Sequence, residues 1–225
     1  MSVPRCKILP RPKTRFTREE LCTFFCELPV ADICDAMGRN VALPSMLKPL
    51  GKANLLGTAY TVRLPASENL LLYYALDNAL PGDVLVVSCA GYEERAVTGE
   101  IMALWAQRKG LAGFVIDGPV RDAEALRMID FPVFARAVSP NGPYKNGNGE
   151  INVPVSIGNV VVNPGDIIVG DEDGIVAVPE KQVEEVTKTA ESIRDSGIKK
   201  IDAIMKNGKP NLEWLYNWLK ENNIY

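Results

Sequence analysis

The fold is decided by the stretch GFVIDGPVRD, residues 113–122, in the middle of the chain. Its first five residues are an apolar run closed by an acid, which is typical of a strand buried on both faces of a parallel sheet. The turn-forming residues 117–119 predict a sharp turn at the carboxyl end of that strand. Arg121 and Asp122 follow at once, where a short helix is predicted to run as far as Met128.

The segments on either side repeat this pattern. A continuous apolar run at residues 84–89 predicts a buried strand, residues 99–109 predict a helix, and residues 132–137 predict a further strand. Strand, helix, strand, helix and strand at this spacing predict right-handed crossovers and a parallel sheet. Beyond these, short apolar runs separated by Gly and Pro predict four small strands, at residues 153–157, 160–162, 167–169 and 175–178.

The two ends of the chain differ from this centre. Residues 1–18 hold six basic residues, no acid and three prolines, which predict an extended arm packed on the body or on a neighbouring subunit. Binding of an anionic partner is the alternative for the arm. A capping box of Thr17 and Glu20 predicts that a helix starts there. A long amphipathic helix is predicted from Pro179 to about Met205, before a last helix that carries two tryptophans.

The composition describes an ordinary globular chain with a mild acidic balance. Of its 225 residues, 47% are hydrophobic and 24% are charged, which fits one domain with a real core. A net charge of −3 argues against nucleic acid as the main partner. There is no apolar stretch long enough to span a membrane and no apolar signal region at the start, so we expect a cytoplasmic protein without a membrane partner.

The chain contains no histidine. This excludes Ser-His-Asp and Cys-His triads, HExxH metalloproteases, His-ligated zinc sites and phosphohistidine carriers. Acid–base chemistry must therefore come from carboxylates, Lys, Tyr, Cys or metal-bound water. Among five cysteines, Cys22 and Cys26 are four residues apart in a predicted helix and share a face. Core packing is the favoured interpretation, a metal or redox pair is the alternative, and the odd count predicts free thiols.

The candidate chemistry lies where predicted strands end. Arg121 and Asp122 follow the strand at 113–117, at the edge where open α/β sheets bind ligands. Arginine offers a planar fork for a carboxylate, and aspartate offers a hard oxygen ligand for Mg²⁺ or Mn²⁺. The alternative is an acid at a helix N-terminus beside a surface arginine.

The preceding helix begins at the same edge, at Gly99 and Glu100. The free backbone N–H groups of Glu100, Ile101 and Met102 would point into the same crevice and suit a carboxylate. Glu100 itself is either a holder of metal-bound water or a simple complement to the helix dipole.

Together these motifs resemble the RraA-like family, which includes 4-hydroxy-4-methyl-2-oxoglutarate aldolases and the regulator of ribonuclease E activity. The resemblance rests on residues 81–83, 99–100 and 117–122 and extends over roughly residues 28–190. Weaker matches lie at residues 32–38, 57–59, 164–166 and 171–176.

The resemblance implies an α/β fold, a compact layered β/β/α sandwich like the swivelling phosphohistidine domain, with flanking N- and C-terminal helices. It implies one domain over residues 1–225, with a core at about 28–190 and a C-terminal helical extension at about 180–225. It also implies a homotrimer or homohexamer with active sites at subunit interfaces, completed by a carboxylate of the neighbouring subunit.

For the site, the resemblance implies that Asp122 ligates Mg²⁺ or Mn²⁺ and that Arg121 contacts a bound 2-oxo acid. Backbone N–H groups after Gly99, at Ile101 and Met102, would hold the carboxylate of pyruvate. Glu100 stands where many aldolase members have Asp.

The expected activity is metal-dependent cleavage of 4-hydroxy-4-methyl-2-oxoglutarate-like substrates to pyruvate. Oxaloacetate decarboxylation would pass through the same pyruvate enolate. The alternatives are a protein-binding regulator of ribonuclease E and a related lyase acting on another oxo or hydroxy acid.

Overall fold

A computed structural model describes residues 5–224. The strands are β1 (Cys6–Ile8), β2 (Lys48–Pro49), β3 (Leu55–Arg63), β4 (Asp83–Ser88), β5 (Gly113–Val120), β6 (Val133–Val138), β7 (Gly149–Ile151), β8 (Val155–Ile157), β9 (Val160–Val162), β10 (Ile167–Gly170) and β11 (Ile175–Val178). The helices are α1 (Arg18–Phe25), α2 (Val30–Ala36), α3 (Leu70–Asn78), α4 (Glu100–Arg108), α5 (Ala123–Met128), α6 (Val183–Asn207) and α7 (Glu213–Glu221).

A parallel block of β3, β4, β5 and β6 forms the centre of the main sheet, as the alternating pattern predicts. Val62 lies beside Val87, which lies beside Ile116, and Ile116 lies beside Ala135. Strands β10 and β11 extend the sheet antiparallel beyond the first half of β3, while β7 and β1 continue it beyond the second half. All four central strands therefore end at the same edge.

Helices and a small hairpin cover the two faces of this sheet. On one face, α3, α4 and α5 bury a cluster that includes Leu72, Met102 and Phe114. On the other face, the antiparallel hairpin β8–β9 packs against Val86 and Phe134. Helices α1, α2 and α6 enclose a third cluster on β10 and β11. These layers form a mixed α/β fold, and the likeness to the swivelling phosphohistidine domain stays a prediction.

The turn predicted at residues 117–119 is wrong, because β5 continues through them to Val120. A register shift between Ile116 and Pro119 absorbs the Gly-Pro pair as an irregularity inside the strand. Asp117 stays buried because the Arg136 Nε donates to its Oδ1 at 2.8 Å. Burial raises the pKa of Asp117, and the Arg136 guanidinium opposes that rise. The turn comes instead at Arg121 and Asp122.

The basic arm is extended, as predicted, over its described part, whereas residues 1–4 lie outside the described residues. Strand β1 pairs parallel with β7, and both terminal nitrogens of Arg11 donate to Asp83, at 2.7 and 2.6 Å. The capping box is confirmed, since the Glu20 amide donates to Thr17 Oγ1 at 3.2 Å and the Thr17 amide donates to Glu20 Oε2 at 2.8 Å. The arm is thus held onto the sheet by a salt bridge and a strand pairing.

Cys22 on α1 and Cys26, directly after that helix, are exposed and form a disulfide. The prediction that this pair packs in the core is wrong, and so is the expectation of free thiols at these two positions. The Cys26 amide donates to the Cys22 carbonyl at 3.0 Å, so one helical turn brings the two sulfurs onto the same face. The alternative interpretation, a redox pair, fits the structure. Cys6, Cys34 and Cys89 are free.

The C-terminal helices leave the body of the domain part-way along α6. The first half of α6 buries Val183, Val186 and Ala190, whereas Met205 beyond it is 81% exposed. Trp214 on α7 is 68% exposed, so the tryptophans make no core of their own within the chain. Among the helices between residues 5 and 224, none has the length and apolar character needed to cross a membrane.

Candidate active site

The structure brings five of the six predicted site residues to one cavity at the carboxyl edge of the sheet. The cavity measures about 220 Å³ and lies between the end of β5 and the start of α4. Its walls include Gly99, Ile101, Met102, Arg121 and Asp122. The predicted neighbourhood of the two motifs is therefore present in the fold, although the roles of these residues stay predictions.

A short backbone ladder holds the two motifs together. The Val97 amide donates to the Pro119 carbonyl at 3.0 Å, and the Arg121 amide donates to the Thr98 carbonyl at 3.0 Å. Residues 97–98 thus act as a new edge for the last residues of β5. This pairing places Arg121 beside the N-terminus of α4. It also explains why β5 continues to Val120, past the position of the predicted turn.

Asp122 occupies a left-handed backbone conformation, with φ 58° and ψ 39°. Such a conformation costs a non-glycine residue about 1–2 kcal/mol, and it persists only where the surroundings enforce it. Here the Asp122 carboxylate points back to α4, where its Oδ2 accepts a hydrogen bond from the Glu100 amide at 3.2 Å. The Asp122 side chain is 40% exposed, so it remains accessible to a ligand.

Gly99 is required by the closeness of this contact. A Cβ placed on Gly99 would lie 2.5 Å from Asp122 Oδ2 and 3.0 Å from Arg121 Cγ. Real Cβ atoms do not approach oxygen that closely, so any side chain here would displace the carboxylate. The glycine therefore sets how near α4 comes to the turn at Arg121 and Asp122.

The N-terminus of α4 faces the cavity with free amides. The first bond within this turn joins the Ala103 amide to the Gly99 carbonyl at 3.1 Å. The amides of Ile101 and Met102 precede it and have no partner in the helical ladder. These amides, together with the helix dipole, favour an anionic group in the cavity.

The charges around the cavity favour an anion as well. Arg121 Nε lies 3.6 Å from Asp122 Oδ2. Lys145, which follows in a later loop of the chain, lines the same cavity. Lys145 Nζ sits 4.9 Å from the centre of the Tyr73 ring. Two cations thus accompany one carboxylate. The side chain of Glu100, the sixth predicted residue, does not contribute to the cavity wall, and only its amide takes part.

Sequence reasoning missed part of the wall, namely Asn69, Tyr73, Thr98, Gly142 and Lys145. Thr98 directly precedes Gly99, so the motif at residues 99–100 could have predicted its place in the wall. Asn69 and Lys145 come from distant parts of the chain, where no local pattern marks them. They meet because the buried Glu68 carboxylate accepts the amides of Asn69 and Asn146, at 3.0 and 2.7 Å.

The donor set fits a cation that keeps most of its water. Among residues 5–224, no group of three or more Cys, Asp or Glu side chains is placed to enclose a metal ion. Asp122 alone offers a carboxylate oxygen within the cavity wall. A single carboxylate suits Mg²⁺ or Mn²⁺, which bind proteins through one or two oxygens and several waters.

A family model described as Aldolase/RraA matches residues 30–177. The chain belongs to the RraA-like family. A Halalkalibacterium halodurans protein, provisionally named 4-hydroxy-4-methyl-2-oxoglutarate aldolase, is 39% identical over 76% of this chain and 82% of its own. A Thermus thermophilus protein named 4-hydroxy-4-methyl-2-oxoglutarate aldolase is 36% identical over 68% of this chain and 94% of its own.

A solved structure carries the family's other name. The RNA-processing inhibitor RraA from Thermus thermophilus superposes with a TM-score of 0.64 at 35% identity, covering 68% of this chain and 93% of its own. The RraA-like resemblance predicted from the sequence is confirmed. The family therefore contains names for two kinds of activity, one enzymatic and one inhibitory.

Proposed function

We propose that this RraA-like protein is a lyase that cleaves 4-hydroxy-4-methyl-2-oxoglutarate-like 2-oxo acids and releases pyruvate. The observation that carries the proposal is the meeting of Arg121, Asp122 and the free amides of α4 in one cavity. An anion-binding helix end beside an arginine and a carboxylate suits a 2-oxo acid. The aldolase names of two relatives support the same chemistry.

In this proposal the carboxylate of the substrate accepts the amides of Ile101 and Met102. The Arg121 fork donates to the same carboxylate or to the adjacent 2-oxo oxygen. Asp122 would hold a divalent cation, Mg²⁺ or Mn²⁺, which supplies Lewis-acid polarisation of the 2-oxo group when bound. The turn at Asp122 fixes both side chains relative to α4, so the substrate would be oriented by a rigid frame.

The reaction follows from where charge develops. The water that Glu100 is proposed to hold would take the proton of the C4 hydroxyl as a base. The C4–O bond then becomes a carbonyl while the C3–C4 bond breaks, so the C4 fragment leaves as a second 2-oxo acid and the electron pair of the broken bond moves onto the 2-oxo oxygen as pyruvate enolate. Arg121 and the end of α4 stabilise that negative charge. Protonation at C3 then gives pyruvate. Oxaloacetate would give the same enolate, with CO₂ leaving instead of a ketone, so we propose decarboxylase activity in the same cavity.

Glu100 remains a proposed catalytic residue with two separable parts. Its amide donates to Asp122 Oδ2. Its carboxylate lies outside the cavity wall, and we propose that it acts on the reacting atoms only through a water that it holds. Glu100→Gln keeps the amide and removes the charge. A large loss of activity in this variant at unchanged thermal stability would support the carboxylate role, and full activity would remove it.

We propose that the protein assembles as a homotrimer or homohexamer with sites at its interfaces. The support is apolar surface left open beside the site and at the C-terminal end, where Ile101 is 74% exposed and Met205 is 81% exposed. Light scattering coupled to gel filtration would give the mass directly. A monomer at micromolar concentration would contradict this part of the proposal.

A protein-binding regulator of ribonuclease E is the second candidate, favoured by the likeness to the RNA-processing inhibitor. A related lyase acting on another oxo or hydroxy acid is the third. Inhibition of ribonuclease by the wild type and equally by Arg121→Ala would favour the regulator, because the cavity would then be dispensable. Activity restricted to other members of an oxo-acid panel would favour the third candidate.

The deciding experiment measures pyruvate release from 4-hydroxy-4-methyl-2-oxoglutarate and from oxaloacetate, with Mg²⁺ and with EDTA. The spontaneous and metal-catalysed decay of oxaloacetate is subtracted. We expect turnover that EDTA abolishes and that Asp122→Ala lacks. Turnover that persists in EDTA would contradict metal dependence, and no turnover of either compound would overturn the lyase proposal.

A further inference from the structure

The disulfide between Cys22 and Cys26 borders a second cavity, at the opposite edge of the sheet from the candidate active site. This cavity measures about 600 Å³. Its walls include Leu55 at the start of β3 and Ala112 directly before β5, so it lies where the parallel strands begin. Both cysteines line the cavity, and both are exposed. The bond is therefore open to a ligand of the size of a short peptide.

The disulfide is not what holds helix α1 in place. It joins residues that are four apart in the sequence, and a bond that closes so short a loop removes little entropy from the unfolded chain. Leu21 and Phe25 anchor the helix instead, since each is 2% exposed, and the capping box at Thr17 fixes its start. We therefore expect α1 to keep its position when the bond is open. Exposed disulfides of this kind exchange readily with thiols, whereas structural disulfides resist them.

The two sulfurs differ in how well they carry a negative charge. Arg18 precedes Cys22 by one helical turn on the same face of α1, and a neighbouring cation stabilises a thiolate. Cys26 is the C-cap residue at the negative end of the helix dipole, and Glu27 follows it directly. The Cys22 sulfur is therefore the better leaving group, so an incoming thiolate attacks the Cys26 sulfur.

The charges in the wall of this second cavity favour a thiol that carries a carboxylate. Lys52 Nζ pairs with Asp130 Oδ1 at 2.8 Å. The Asp171 carboxylate accepts one backbone amide on each oxygen, at 2.9 Å in both cases. Arg18 lines the cavity as well, and its guanidinium has no ion-pair partner among residues 5–224. The charge left to meet a ligand is therefore that of Arg18, which attracts an anionic group.

We infer that Cys22 and Cys26 form a thiol–disulfide exchange site for small thiols that carry a carboxylate. The ligand thiolate attacks Cys26 Sγ and forms a mixed disulfide, while the bond to Cys22 breaks and leaves its electron pair on Cys22 as a thiolate. A second ligand thiolate then attacks the ligand sulfur, so Cys26 leaves as a thiolate and the ligand departs as its own disulfide. Two ligand thiols are oxidised, one protein disulfide is reduced, and the two protein thiolates take up the two protons that the ligand thiols lost. The reverse sequence closes the bond.

The first experiment treats the native, oxidised protein with millimolar reduced glutathione and then with glutathione disulfide. Alkylation followed by peptide mass spectrometry reports the state of each cysteine, and circular dichroism reports the fold. We expect Cys22 and Cys26 to open in reduced glutathione and to close again in glutathione disulfide, with an unchanged spectrum. A bond that opens only in denaturant would be structural and would overturn the inference, and so would a reduced pair that glutathione disulfide does not close.

The direction of exchange is read from the intermediate. When the opening reaction is stopped early with N-ethylmaleimide, we expect glutathione on Cys26 and maleimide on Cys22, and the opposite distribution would overturn the assigned direction. Cys6 is the matched control, because it is exposed and free. After treatment of the reduced protein with glutathione disulfide, Cys6 should retain glutathione, whereas Cys26 should lose it to attack by Cys22. Glutathione retained on both members of the pair would contradict the exchange site.

The preference for a carboxylate is tested at Arg18. The rate of opening is measured with mercaptopropionate, which is anionic, and with cysteamine, which is cationic, in the wild type, Arg18→Ala and Arg15→Ala. Arg15→Ala removes the same charge outside the cavity wall. We expect the ratio of the anionic to the cationic rate to fall about threefold or more in Arg18→Ala and to stay near the wild-type value in Arg15→Ala. The same ratio in all three proteins would overturn the preference. Both rates are read by mass, so the outcome is independent of lyase turnover.

Discussion

Gly99→Ala perturbs the site through a single methyl group. The new Cβ would lie 2.5 Å from Asp122 Oδ2, and relief to an ordinary contact requires the carboxylate to move by roughly 0.7 Å or more. That movement stretches the 3.2 Å bond from the Glu100 amide beyond hydrogen-bond range. Arg121 Cγ, 3.0 Å from the same methyl, must move as well.

Both proposed ligand-binding side chains are therefore displaced together. A misplacement of about 1 Å costs on the order of 100-fold in rate where a reaction depends on orientation. Overpacking a tight site costs about 1–3 kcal/mol of stability, so the fold should survive. We expect kcat/KM for pyruvate release to fall about 100-fold, measured in a coupled assay beside a urea unfolding curve.

Gly197→Ala is the matched control for this prediction. Gly197 lies inside α6, and a Cβ there meets nothing within 4 Å. Alanine in a helix interior is favoured over glycine by roughly 1 kcal/mol, so this variant should be slightly more stable and fully active. Wild-type activity in Gly99→Ala, with its fold intact, would refute the geometric account of the site.

Two further predictions concern the framework of the domain. Arg11→Ala leaves the buried Asp83 carboxylate without its guanidinium and should lower the free energy of unfolding by about 3 kcal/mol. Arg15→Ala removes an exposed ion pair and should change the free energy of unfolding by less than about 1 kcal/mol. Urea unfolding measures both changes, and equal effects of the two variants would contradict the burial argument. Alkylation of the native protein at pH 8 should label the exposed Cys6 and spare Cys89, because burial raises the pKa of the Cys89 thiol to about 12. Peptide mass spectrometry identifies the labelled cysteines, and rapid labelling of Cys89 would contradict the prediction.

The disulfide between Cys22 and Cys26 predicts how many thiols react before and after reduction. In denaturant without reductant, three of the five cysteines should react, and all five should react after reduction. The ring between Cys22 and Cys26 is very short, so its loss should cost little stability under the loop-entropy model. Five reactive thiols before reduction would contradict the bond.

The central strands were predictable because a strand that is buried on both faces requires a continuous run of apolar residues. Strands β4, β5 and β6 are continuous apolar runs, and the helices between them end at clear turn signals. Strands β2 and β7 have two and three residues, without an apolar pattern of their own. They exist because a neighbouring strand offers them free backbone groups, and no local signal reports that.

The site divides along the same line. Gly99, Arg121 and Asp122 were predictable because strand ends and helix starts in an α/β unit meet at one edge. Asn69 and Lys145 were not, since the buried Glu68 carboxylate brings their loops together across the chain. The expected turn at 117–119 failed for a related reason, as residues 97–98 supply an edge that lets β5 continue.

The most direct test of the lyase account is the rate of pyruvate release from 4-hydroxy-4-methyl-2-oxoglutarate in Mg²⁺ by the wild type and Arg121→Ala. Arg127→Ala, on the exposed side of α5 and outside the cavity wall, serves as the control. The account predicts measurable turnover in the wild type, a loss of about 100-fold or more in Arg121→Ala and no loss in Arg127→Ala. Equal rates in all three proteins, or no turnover in the wild type, would contradict it.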